Sequence, residues 1–219
     1  MGLNCGCPIT GAISDITKQE CKTSMGQIQK LLFQRRFNLD ANPVVLNEIA
    51  AANITSKTAW QALLAATDST KVTVSPEISN PETEPGAART FGGGDNTTVG
   101  GMPIITGRES TAFTSSLYEL DQAIIKQLKT YQCEDISVFF IDEYGNIGCL
   151  VSKMGTGATP APTHYRGVPV RSFFVGDKDF GGFNDPDSNA LSFSLEPNWS
   201  DDLVVIKRES LDFNPLTDL

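Results

Sequence analysis

A chain of 219 residues with 40% hydrophobic content is long enough to bury a sizeable core, and a single domain over residues 1–219 with an extended arm at about 76–115 is expected. Its 17 basic against 26 acidic residues give a formal net charge of −9, which excludes a surface made to hold nucleic acid, because phosphate binding rests on clustered Lys and Arg. No apolar run reaches the roughly 18–20 residues that span a bilayer, and Met1–Cys7 has neither a basic nor an apolar signal region, so cytoplasmic synthesis without membrane insertion is expected.

In chain order, Cys5, Cys7 and Cys21 come first. Their C-x-C spacing is not the C-x-x-C of a zinc knuckle and no fourth ligand lies nearby, so packed or free thiols are expected rather than a metal site. Gly26–Phe37 mixes Ile28, Leu32 and Phe33 with polar partners between turn-formers, which predicts a strand. Asn42-Pro43 breaks the chain, and Val44–Ala52 is ambiguous, since Leu46, Ile49 and Ala50 keep helical spacing that Asn53 soon interrupts. Ser56 is placed to cap a helix carrying Trp60, Leu63 and Leu64 on one face, which ends at Asp68–Thr70. Lys71–Ser75 predicts a short strand stopped by Pro76, and Ser79–Pro85 reads as a proline-rich lead into the arm.

Glu84–Arg108 is a long stretch punctuated by Gly and Pro, with few core-forming residues. Compact domains rarely carry such a segment without a use for it. Its glycines lack the GxxxxGK[ST] order of a phosphate cradle, so the readings that remain are an arm ordering on a neighbouring subunit or a flexible surface loop. Met102–Thr106 predicts a brief strand, the return limb of a hairpin whose tip is Gly92–Asn96. Ser116 and Glu119 match a capping box, and Leu117, Leu120, Ile124, Leu128 and Tyr131 then recur at helical steps. Asp135–Ser152 contains two β-rich runs around Glu143–Asn146, a hairpin expected at the centre of the sheet. Val168–Val175, Leu191–Leu195 and Leu203–Lys207 add strands, of which Leu191–Leu195 alternates cleanly and predicts one wet face. About seven strands and two helices result. The expected fold class is α+β, mainly β: two packed antiparallel sheets or a partial barrel, a flanking helix and a long inter-strand arm.

The residues that could carry chemistry are sparse. His164 is the one histidine, expected in the loop 159–166 with no nucleophile elbow beside it. Cys133 and Cys149 are expected to be packed thiols. Asp177–Asn189 is dense in carboxylates but lacks the calcium-loop register and its distal Glu, so it reads as an acidic turn. Phe139, Phe140, Phe173 and Phe174 come without interleaved basic residues and read as core rather than as a base-stacking face. No catalytic, cofactor-binding or metal residue is expected, and no enzymatic activity.

Val74-Ser-Pro76, Glu84-Pro-Gly-Ala-Ala-Arg-Thr-Phe-Gly-Gly-Gly94, Gly107-Arg-Glu109 and Phe140-Ile-Asp-Glu-Tyr-Gly-Asn-Ile-Gly148 together resemble the major tail (tail tube) proteins of long-tailed bacteriophages of Bacteroidetes-type hosts. The resemblance implies two packed sheets with an inter-strand arm, hexameric rings that stack into a tube, other virion tail proteins as partners, and passage of DNA without specific binding. It implies a virion location after assembly in the host cytoplasm. The arm would contribute Arg89, Phe91, Gly92, Gly93, Gly94, Met102, Ile104 and Ile105 to contacts between subunits, and excess carboxylate along the lumen would repel DNA. A capsid or head-decoration protein is one rival. The other is a carbohydrate-binding module, for which Trp60 and Trp199 would have to be exposed stacking faces.

Overall fold

Seven consecutive buried residues, Ile136–Asp142, form the strand about which the chain is built. The computed structural model describes residues 24–94, 97–156 and 160–219; Cys5, Cys7, Cys21 and two residues of the expected arm tip, Asp95 and Asn96, lie outside them. The strands are β1 (Ile28–Arg35), β2 (Phe37–Asn38), β3 (Val45–Leu46), β4 (Ile49–Ala50), β5 (Val72–Val74), β6 (Ser79–Glu84), β7 (Ala88–Phe91), β8 (Ile104–Arg108), β9 (Thr111–Tyr118), β10 (Ile136–Asp142), β11 (Ile147–Met154), β12 (Pro162–Arg166), β13 (Val168–Asp179), β14 (Ser188–Leu195) and β15 (Leu203–Ile206). The helices are α1 (Ala51–Ile54), α2 (Lys57–Ala65), α3 (Gln122–Thr130) and α4 (Pro215–Asp218).

Eleven strands make one antiparallel sheet in the order β4-β12-β11-β10-β13-β14-β9-β6, with β1 joined to β10 and β5, and β15 joined to β11. One edge of β10 pairs with β1 from Ile28↔Asp142 to Arg35↔Ile136. Its other edge is divided: Phe140 and Ile141 pair with β11, while Ser137 and Val138 pair with β13. Dividing one edge between two diverging strands curls the sheet into a partial barrel, the second of the two expected architectures. Alternation sends Val138 and Phe140 to one face and Phe139 and Ile141 to the other.

Both faces are covered, which is why Val138–Ile141 at the middle of β10 reads as an unbroken apolar run. One core gathers Leu31, Phe33, Phe113, Val138, Phe140 and Phe193 under Ile125 and Leu128 of α3. The other sets Leu32, Phe139, Ile141, Ile147 and Cys149 against Trp60 of α2 and Phe213. Trp60 meets Phe139 edge-on, with ring centroids 5.4 Å apart, and its indole nitrogen donates to the Ile54 carbonyl at 2.8 Å.

The turn between β10 and β11 is organised by Asp142. Its Oδ1 accepts from the amides of Tyr144 and Asn146, and its Oδ2 from the amide of Gly26 and the Asn146 side chain. Gly145 takes φ 78° there, in the left-handed region that glycine enters without a Cβ penalty.

Several expectations are corrected. Thr111–Tyr118 is strand rather than the start of a helix, pairing with β14 along all eight residues from Thr111↔Leu195 to Tyr118↔Ser188. Ser116 therefore caps nothing. The helix starts after Asp121, whose side chain accepts from the Ala123 amide, and it buries Ile125 and Leu128 while leaving Ile124 exposed. The expected stripe was out of phase because Leu117 belongs to the period-two pattern of β9. Ser79–Glu84 is an edge strand paired with β9, a place where Pro81 is tolerated. Ser56 does stand at the start of α2, but its side chain makes no cap; Asp212 Oδ1 from the C-terminal segment accepts the Lys57 amide at 2.6 Å. Val44–Ala52 resolves into β3, β4 and the start of α1. His164 lies in β12 opposite Ala50, not in a loop. With fifteen strands and four α-helices among the described residues, the expected count was low.

Candidate assembly arm

The segment 84–111 leaves the sheet and returns as a hairpin. Gly86 marks its root, where the limbs come so close that a Cβ on Gly86 would lie 2.2 Å from the Glu109 carbonyl oxygen. The Glu109 amide donates to the Ala87 carbonyl at 2.9 Å. Beyond the root, β7 and β8 pair in the register Ala88↔Arg108, Arg89↔Gly107, Thr90↔Ile105 and Phe91↔Ile104, with a bulge after Arg89. The return limb begins near where Met102–Thr106 was expected.

These two strands form a sheet of their own and, among the described residues, pair with no other strand. Opposed residues on an antiparallel ribbon share a face, so Phe91 and Ile104 lie on one side and Ile105 on the other. Their exposures are 57% for Phe91, 56% for Ile104 and 59% for Ile105, with Met102 in the connecting loop at 70%. An isolated two-stranded ribbon is marginal in water. Here the connection adds local order: the Gly94 amide donates to the Gly101 carbonyl at 3.0 Å, and the Thr98 hydroxyl donates to the Met102 carbonyl at 2.6 Å. Gly92 is required twice over, by φ 74° and by Thr98, whose Cγ2 would stand 2.4 Å from a Cβ. Gly93 and Gly94 also take positive φ. Arg108 ties the root to the body by donating to Asn198 Oδ1 at 2.8 Å, and Arg89 is exposed with no ion pair among the described residues.

The remaining chemistry-bearing residues are dispersed. Cys149 is fully enclosed in the second core, where burial pushes its thiol up to about 12. Cys133 is exposed, contrary to the packed thiol expected, because it closes the 3-10 turn after α3. His164 Nδ1 lies 3.2 Å from the Thr163 hydroxyl. Among the described residues no group of three or more His, Cys, Asp or Glu is disposed to hold a metal ion. A cavity of about 470 Å³ is lined by Gln34, Arg35, Asp40, Asp68, Lys71 and Glu134 among others, and its carboxylates are already engaged: Asp40 accepts from Ser69, Asp68 from Thr70, and Glu134 pairs with Arg35 at 2.7 Å.

Of the four phenylalanines expected in the core, Phe139, Phe140 and Phe173 are buried, but Phe174 is exposed, pointing outward from β13. The acidic turn after β13 also carries two aromatics that the sequence pattern did not single out: Phe180 is 79% exposed and Phe183 wholly so. The signal was present as Phe-Gly-Gly-Phe within a polar turn, masked by the surrounding aspartates. Among the described residues no helix is long and apolar enough to cross a membrane.

No protein-family model matches the chain, and no curated protein matches it. Among solved structures it is similar to a chain from the "Tail of empty GTA particle computed with helical refinement, C6 symmetry", at 13% identity over 58% of this chain and 80% of that one, with a TM-score of 0.31. A likeness at that level carries no argument about function.

Proposed function

We propose that this protein is a structural subunit of a virion tail tube, in which copies associate in rings and the rings stack into a conduit for DNA. The observation that carries the reading is the β7–β8 ribbon, which holds Phe91, Met102, Ile104 and Ile105 in water while contributing no side chain to either core. Apolar groups presented on an ordered protrusion gain free energy only when something covers them, at about 25 cal/mol per Å². A second copy of the chain is the cover that the reading requires. The net charge of −9 agrees with a wall that passes DNA without holding it, since bound phosphates would stall ejection.

Six subunits per ring, a virion location, assembly in the host cytoplasm and contacts with other tail proteins come with the same reading through the family resemblance. No residue is catalytic in it, and it needs neither nucleotide nor metal. The carbohydrate-binding alternative loses its main support, because Trp60 is fully buried and Trp199 is half-buried against Phe140 at a centroid distance of 6.2 Å.

Negative-stain microscopy and sedimentation of the purified chain test the proposal. Rings or tubes that form equally with and without chelator are the expected result. Closed shells would transfer the reading to a head protein, and a strict monomer at high concentration would overturn it.

A further inference from the structure

The four strands β13, β14, β9 and β6 run side by side, and two exposed apolar features leave this layer at opposite ends. The arm emerges where Glu84 opposes Ala112 and Leu195 opposes Thr111. The β13–β14 turn emerges where Ser188 opposes Tyr118 and Asp179 opposes Ser188. Eight residues of β9 separate the two ends, about 24 Å at roughly 3.4 Å per residue. Copies related by translation along these strands therefore bring the arm of one to the turn of the next, a head-to-tail contact that repeats without closing on itself.

The turn offers a socket. A cavity of about 360 Å³ lies beside it, lined by Tyr118, Asp179, Phe180, Asp185 and Ser188 among others. Asp187 is occupied, accepting from the Gly181 amide at 3.2 Å and pairing with Lys178 at 3.5 Å, and Asp177 pairs with Lys129. Asp179 and Asp185 have no ion pair among the described residues, and both are exposed. Charge is complementary beyond the root, which carries Glu84 and Glu109: residues 87–108 contain two Arg and one Asp, whereas residues 177–187 contain four Asp and one Lys. Like charges on both faces would cost free energy on contact, whereas this arrangement favours the pairing.

Resting on the tube reading, we infer that the Tyr118/Phe180 cavity with Asp179 and Asp185 is the socket that receives the arm of a second copy of this chain, Arg89 meeting the two carboxylates and the apolar arm residues covering Phe180 and Phe183.

The test uses full chains altered at one end only. D179K/D185K and R89E are each expected to raise the concentration needed for stacking at least tenfold, and the triple variant, with charges exchanged, to return it to within about threefold of the unaltered chain. A chain with residues 88–108 replaced by a short Gly/Ser linker keeps the socket, while D179K/D185K keeps the arm. Mixed, the two should yield a species of twice the mass of either and nothing longer. Thermal melts check that each variant folds. If D179K/D185K stacks normally while the arm replacement abolishes stacking, the socket is overturned and the tube reading stands; if the arm replacement stacks normally, the arm has no part in stacking and the socket falls with it; if the unaltered chain stays monomeric, the tube reading itself fails. Lack of recovery in the triple variant would overturn the pairing of Arg89 with the carboxylates.

Discussion

The hairpin of β10 and β11 and the hairpin of β7 and β8 are built from similar parts, β-branched and aromatic residues flanking a turn with glycine at positive φ. They end in opposite environments. In the first, both faces meet core and every residue of β10 is buried; in the second, both faces meet water. The turn chemistry differs in the same sense. Asp142 binds two backbone amides and one side chain within the first hairpin and the Gly26 amide from outside it, whereas the second relies on a few hydrogen bonds within its own connection. One hairpin holds the molecule together, and the other is free to serve contacts outside it.

Substitutions in the two hairpins should therefore separate folding from assembly. Phe139→Ala has the largest expected effect, a loss of about 3–5 kcal/mol, because it opens a cavity beside Trp60. Denaturant titration measures it. Asp142→Ala should cost about 1–3 kcal/mol by leaving part-buried amides without their acceptor, with Asp142→Asn milder since one carbonyl oxygen survives. In contrast, Phe91→Ser, Ile104→Ser and Ile105→Ser should each alter stability by no more than about 0.5 kcal/mol while weakening assembly. A loss of several kcal/mol at any of the three would mean that the arm belongs to the folding unit.

Acid provides a gentler probe of the same division. Hydrogen bonds from Ser69 hold Asp40 below its usual carboxylate range, and Lys129 and Lys57 do the same for Asp177 and Asp218. All three lie on the body rather than the arm. A lowered folded-state pKa adds stability above the unfolded value, and that stability is lost as pH falls through the folded value. The melting temperature should therefore drop between about pH 4 and lower values, with Asp40→Asn flattening the decline slightly. An unchanged acid profile in Asp40→Asn would show that the Ser69 contact adds nothing.

Legibility in the sequence followed the same division in part. The β10–β11 hairpin was readable because Val138–Ile141 is apolar without helical spacing, and β14 because its Ser and apolar residues alternate. β9 was not. Its Ser and Thr residues weaken the strand signal, and Ser116 with Glu119 imitates a helix start by coincidence, the latter residue in fact turning the chain at φ 52°. β6 was hidden by Pro81, which central strands exclude but edges accept. In the arm, the glycines and the run Met102–Ile105 betrayed a hairpin, yet no pattern of spacing could say that its apolar side chains stay uncovered. Exposure is a property of the whole fold, and the same limit concealed Phe180 and Phe183 behind their aspartates.

Replacing residues 88–108 with a short Gly/Ser linker is the most direct measurement. Loop-closure cost changes by only about 0.6 kcal/mol per doubling of length, and among the described residues the replaced ribbon supplies nothing to either core. Thermal melting monitored by circular dichroism should give a cooperative transition close to that of the unaltered chain, while sedimentation and microscopy of the same sample should show no tubes. A chain that fails to fold, or one that folds and still forms tubes, would contradict the assignment of the arm to assembly.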